Sequence, residues 1–163
     1  MIMEKIDPDI KKQLEELWGK VGFIVNLSQM LEYTLANILA FDEILKEFDN
    51  KNSMSMFDYN TFAERAATLY NELIERPFGY GLRQAEKLKF FTDDSQKRLK
   101  RICEERNFVI HRVFCDDLKL NHLETDPEFY FGRLESLIEN MYYANEELNN
   151  IFLQQKEQYM LIW

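Results

Sequence analysis

An all-α fold follows from three observations. Apolar residues recur at steps of three and four over long stretches, no stretch alternates apolar and polar residues as a half-buried strand does, and the 163 residues contain only five glycines and three prolines to interrupt helices. The arrangement predicted is an up-and-down bundle of four main helices plus a short fifth, in a single helical domain over residues 1–163. Folding at this length removes roughly two-thirds of the unfolded chain's surface from water, so the core needs neither a disulfide nor a metal to support it.

The first helix begins near Pro8 and carries Ile24, Leu27, Leu31, Leu35, Ile38, Leu45 and Phe48 on one stripe. Gly19 and Gly22 are where it is expected to bend, and Asp49-Asn50-Lys51-Asn52-Ser53 stops it. The second helix spans Tyr59 to about Glu75, with Phe62, Ala66, Leu69 and Leu73 facing the core, and ends before Pro77, Gly79 and Gly81. A short helix from Leu82 to about Phe91 follows. Thr92-Asp93-Asp94-Ser95 then provides a cap and an acidic first turn for a helix reaching about Phe114. A polar loop, Asp116 to Thr125, precedes the last helix. That helix starts around Pro127 and carries Leu134, Leu137, Ile138, Met141, Leu148 and Ile151. Its apolar end, Met160-Leu161-Ile162-Trp163, is expected to fold back on the bundle, docking on a partner being the alternative.

Twenty-nine acidic and 20 basic side chains give a net charge of −9, which argues against broad, non-specific coating of nucleic acid. No signal-peptide pattern opens the chain, and its apolar segments are too short to span a bilayer, so no membrane association and a cytoplasmic location are expected. Cys103 and Cys115 stand twelve residues apart on one predicted helix, roughly 18 Å along its axis. That is too far to bridge, and free thiols are expected.

The fourth helix departs from the pattern. Its stripe runs Leu99, Ile102, then Arg106 where an apolar residue belongs, then Val109 and Val113. Around the arginine, Phe108, Val109, Ile110, Val113, Phe114 and Cys115 surround the helix with apolar side chains, relieved by His111 and Arg112. A helix of this kind is covered on more than one side, and a second copy of the chain is one source of that cover. Asn107 and His111 share a face, whereas Arg106 lies about 140° from His111. One helix does not close Arg106 on its own His111; two helices crossing at a dimer axis do. The architectural alternative is an interface histidine, with Arg106 snorkelling or paired to an acid such as Glu32.

Arg106-Asn107-Phe108-Val109-Ile110-His111, on the penultimate long helix of a small helical bundle, resembles the Arg-x4-6-His motif of the HEPN superfamily. The resemblance implies a HEPN-like homodimer whose two motifs form a composite, metal-independent endoribonuclease site. It also implies a toxin of a bacterial toxin-antitoxin pair or a phage-defence protein, with RNA as substrate and an antitoxin as a possible partner. The expected catalytic residues are Arg106, His111 and Asn107. His111 acts as acid or base toward a ribose 2′-OH, Arg106 holds the phosphate, and the product is a 2′,3′-cyclic phosphate. The residue types suit these roles, since imidazole titrates near neutrality and a guanidinium fork matches phosphoryl oxygens. Asn107 either orients the imidazole or binds phosphate, and Arg112 and Arg101 are candidate substrate-binding groups. Some antitoxin-paired members carry a Tyr two residues after the His, where this chain has Val113. Glu32 and Asn37, on an inward face of the first helix, are candidates for pairing with Arg106; neither maps to a family catalytic role, and structural and functional roles stay open for both.

No metal or cofactor is expected: there is no zinc-spaced cysteine pair and no di-iron Glu-x-x-His, and His122 stands alone in a polar loop. Gly79-Tyr80-Gly81 lacks the glycine pattern and preceding strand of a phosphate loop. Two function classes remain, a metal-independent ribonuclease and a non-catalytic helical interaction or RNA-binding module in which the motif serves dimer architecture. Residues 83 to 112 hold nine Lys/Arg against five Asp/Glu, so a local basic excess of +4 coincides with the helix bearing Arg106 and His111.

Overall fold

The structure is a computed structural model and describes residues 7–49, 59–113 and 126–161. These form five helices, α1 (Pro8–Asp49), α2 (Tyr59–Ile74), α3 (Phe78–Ala85), α4 (Asp93–His111) and α5 (Pro127–Leu161), and contain no strand. At 1.5 Å per residue α1 and α5 are about 63 and 52 Å long. They are the spine of the molecule. Four paired positions show that they run in the same direction: Lys20 with Glu135 at 3.0 Å, Phe23 with Tyr142, Phe41 with Phe152, and Gln155 Nε2 donating to the Ile38 carbonyl at 3.0 Å.

The seam between them repeats every seven residues. Leu17, Ile24, Leu31 and Ile38 on α1 and Leu134, Met141 and Leu148 on α5 are almost wholly inaccessible, and the next step of seven on α5 is Gln155, also fully buried. A seven-residue repeat keeps one narrow stripe facing the partner helix along the whole length of a parallel pair. Each fully buried aliphatic side chain contributes roughly 1.5–3 kcal/mol. Gln155 contributes register instead, because its amide reaches the Ile38 carbonyl only in this alignment.

Strict up-and-down alternation does not hold. Arg65 pairs with Glu47 and Tyr70 with Tyr33, so α2 runs back along the C-terminal half of α1. Arg98 pairs with Glu147 and Arg133 with Glu105, so α4 runs against α5 and therefore in the same sense as α2. The cause is length. A 16-residue helix covers about 24 Å, far less than the spine, and α4 takes up the flank that α2 leaves bare.

Between them, α3 starts at Phe78 rather than Leu82, and short turns carry the chain from Ala85 to Phe91. Pro77 stands before it as the cap residue, and Gly79 and Gly81 lie inside the helix instead of ending the preceding segment. Gly81 is there because α3 lies close on α1: a β-carbon at that position would meet Leu35 Cδ2 at 3.0 Å. α1 continues unbroken as helix through Gly19 and Gly22. Phe114, Cys115, the loop to Thr125 with His122, and the last two residues lie outside the described residues. No helix among the described residues is long and apolar enough to cross a membrane.

Candidate functional site

The cap of α4 fixes where everything on the helix points. The Thr92 side chain accepts from the Ser95 backbone N–H at 3.2 Å, and the buried Ser95 hydroxyl donates to Glu147 on α5. From that anchored start, Leu99, Ile102, Val109 and Val113 enter the core, and Arg106 occupies the slot between them. Its guanidinium reaches across to α1, where Nη2 donates to Glu32 Oε1 at 2.6 Å. Nη1 donates to Asn107 Oδ1 at 3.2 Å, and the Phe78 ring centroid lies 5.9 Å from Cζ. The side chains of Arg106 and Glu32 are only 20% and 26% exposed, and Arg106 Nε is buried without a partner. A pair this enclosed holds its geometry firmly, because separating the charges strands each in a poorly solvated place.

Arg106 and Asn107 are therefore joined. His111 is not joined to them. It is exposed in the last turn of α4, about 7.5 Å farther along the axis and about 140° around from Arg106. Asn107 shares the His111 face, is exposed, and turns its Nδ2 toward Cys103 Sγ at 3.8 Å. Arg112 is exposed, and its backbone N–H ends the helix on the Phe108 carbonyl at 2.9 Å. Of the two α1 candidates for pairing with Arg106, Glu32 makes the pair, whereas Asn37 donates to the Tyr33 carbonyl of its own helix. Burial pushes the Cys103 thiol above its ordinary range, with the Arg106 charge pulling the other way. No family model, curated protein or solved structure matches the chain.

Arg101 opens onto a different face. With Lys97, Arg98, Ile102 and, from α5, Arg133 and Asn140, it lines a groove of about 560 Å³ between α4 and α5. Two of its arginines are braced. Arg133 makes a two-pronged contact with Glu105, Nε to Oε2 at 2.8 Å and Nη2 to Oε1 at 3.1 Å, with its Cζ 3.7 Å from the Phe108 ring centroid. Arg98 donates to Glu147 Oε2 at 2.7 Å and lies 4.3 Å from the Tyr143 ring centroid. Lys97 and Arg101 are exposed and make no ion pair among the described residues. Arg98 and Arg133 escape a sequence reading because the carboxylates and rings that hold them sit on the facing helix, with the ion-pair partners 49 and 28 residues away respectively.

Phe108, one of the apolar residues that made α4 look over-covered, thus has a lid from within the chain, the Arg133 guanidinium. Among the described residues no group of three or more His, Cys, Asp or Glu side chains is arranged to hold a metal ion. Chemically, the end of α4 offers an accessible imidazole, an amide one turn back on the same face and, five residues back on another side, a fixed guanidinium. The α4–α5 groove offers positive charge backed by aromatic rings.

Proposed function

We propose that this chain is a metal-independent endoribonuclease with a HEPN-like Arg-x4-His site, acting in the cytoplasm as a toxin or defence effector. The observation that carries the proposal is the exposed pair His111 and Asn107 on one face of the last turns of α4, beside a guanidinium that Glu32 holds in place. His111 takes the proton from a ribose 2′-OH, and the freed oxygen attacks the adjacent phosphorus. The phosphorus–5′-oxygen bond breaks, leaving a 2′,3′-cyclic phosphate and a 5′-hydroxyl, with the proton returned to the leaving oxygen. Arg106 meets the charge on the phosphoryl oxygens, through the guanidinium donors that Glu32 and Asn107 do not use. Since Arg106 and His111 of one chain stand on different sides of α4, the site is completed by pairing two chains, the His111 of each serving the Arg106 of the other.

A second reading has its own support. Arg106 is committed to Glu32, and α1 exposes Phe23 and Met30 along a stretch without a charged residue from Val21 to Leu31, with Tyr33 exposed just beyond it. Both features suit a helical interaction module, with an antitoxin-like protein as partner.

Cleavage of single-stranded RNA by the purified full chain in EDTA separates the two. The ribonuclease cuts to cyclic-phosphate ends, and His111→Ala abolishes cutting while light scattering shows the dimer unchanged. Unchanged cleavage in His111→Ala and Arg106→Ala removes the composite site. No cleavage by the wild type, with weakened self-association or partner binding in the same variants, favours the interaction module.

A further inference from the structure

The basic groove between α4 and α5 lies apart from the face bearing Asn107 and His111, and its construction points to a ligand. Arg98 and Arg133 are each held at the guanidinium edge by a carboxylate and covered on one side by an aromatic ring. They are about 30% exposed and line the groove. A planar cation immobilised in this way is a stacking platform, already ordered before anything binds. Beside them Lys97 and Arg101, four residues and about 6 Å apart on α4, carry charge that no described carboxylate neutralises. The groove also holds Asp94 and Glu105, but Glu105 is consumed by Arg133. Positive charge persists here in a chain that carries −9 overall.

We propose that this groove is the track for a single-stranded polynucleotide, with Lys97 and Arg101 on successive phosphates and the planes of Arg98 and Arg133 against bases. The proposal rests on the ribonuclease reading for the choice of RNA as the strand. An acidic peptide satisfies two lysine or arginine charges equally well, but it has no use for two ring-backed guanidinium planes, whereas every base has a face to stack. The track is sequence-tolerant, because neither charge nor stacking reads the edges of bases. It gives α4 two functions, grip on one face and cleavage on the other.

The test is binding of a fluorescein-labelled, 2′-O-methyl single-stranded 10-mer, which cannot be cut, followed by anisotropy from 50 to 300 mM salt. Removing two phosphate contacts from a single strand lowers the salt slope by about 1.4, equivalent to about 25-fold weaker binding at 0.1 M salt. The Lys97→Gln/Arg101→Gln double variant is expected to show that loss, while Lys11→Gln/Lys12→Gln, which removes two exposed charges from α1 away from the groove, binds as the wild type does. Wild-type affinity and slope in the double variant overturn the track and leave the cleavage site standing. Weaker binding in the double variant, with no cleavage by the wild type, keeps the track and removes the ribonuclease. Displacement of the 10-mer by an equal concentration of a poly-glutamate peptide overturns the choice of a polynucleotide.

Discussion

Replacing Arg106 by alanine removes more than a candidate catalytic group. It leaves Glu32 about three-quarters enclosed, with no cation at 2.6 Å. A hydrogen bond to a charged group contributes about 1.5–3 kcal/mol, and breaking a fully buried pair costs about 3–5 kcal/mol. Because water reaches both side chains, the lower range applies, and about 2 kcal/mol is expected for the lost partner. The largely enclosed arginine stem adds about 0.5–1 kcal/mol. The total, about 2.5–3 kcal/mol, corresponds to a fall in melting midpoint of roughly 5–12 °C at this chain length. Glu32→Gln alone keeps the shape and loses the charge, and is expected to cost about 1 kcal/mol.

The assay is urea unfolding followed by circular dichroism on the wild type, both single variants and the double variant. A coupling energy of about 1–2 kcal/mol between positions 106 and 32 is expected. Coupling below about 0.3 kcal/mol would refute the reasoning, because the two side chains would then contribute independently. Cleavage by Arg106→Ala is therefore informative only well below its own lowered midpoint.

Two further substitutions probe other parts of the molecule. Gln155→Leu removes a buried amide whose Oε1 has no partner and fills the seam with hydrocarbon, so a gain of about 1 kcal/mol is expected in thermal unfolding; a loss above 2 kcal/mol would show that the bond to Ile38 outweighs the burial. In a Cys115→Ser background, iodoacetamide is expected to modify Cys103 slowly until the pH passes the ordinary thiol range, because burial disfavours the thiolate. The folded state then holds this proton more tightly than the unfolded one, so stability falls as pH rises beyond that range. Rapid modification at neutral pH would contradict it.

The helices were legible in the sequence wherever one stripe faced one neighbour, as at the buried Leu69 and half-buried Leu73 of α2 or Leu134, Leu137 and Met141 of α5. α3 was not, because Gly79 and Gly81 read as breakers while Gly81 lies where α3 comes close to Leu35. The direction of the helices was hidden for a related reason. Periodicity says which face is buried but not against what, although the seven-residue spacing of Leu17, Ile24, Leu31 and Ile38 carries a trace of the long parallel pairing. At the candidate site, Arg106 stood out because a charge interrupted an apolar stripe, and Glu32 was found from its place on the inward face. Asn37, on that same face, satisfies its own backbone instead. The braced arginines Arg98 and Arg133 broke no stripe. Their meaning lies wholly in tertiary contacts.

The same-direction pairing of α1 and α5 has a consequence for how the chain is made. Gln155 meets Ile38 across 117 residues of sequence, so the spine is built from contacts far apart in the chain. During synthesis, α1 emerges with Leu17, Ile24 and Leu31 uncovered by α5, which arrives only after residue 127 has been made. Local pairs such as α1 with α2 form early, but closure of the longest loop sets the pace of the last step. A ribosome that stalls before residue 127 releases a chain whose α1 stripe of Leu17, Ile24 and Leu31 lacks its α5 partner. Such a fragment is a substrate for chaperones and proteases, and the spine closes only after α5 has been made.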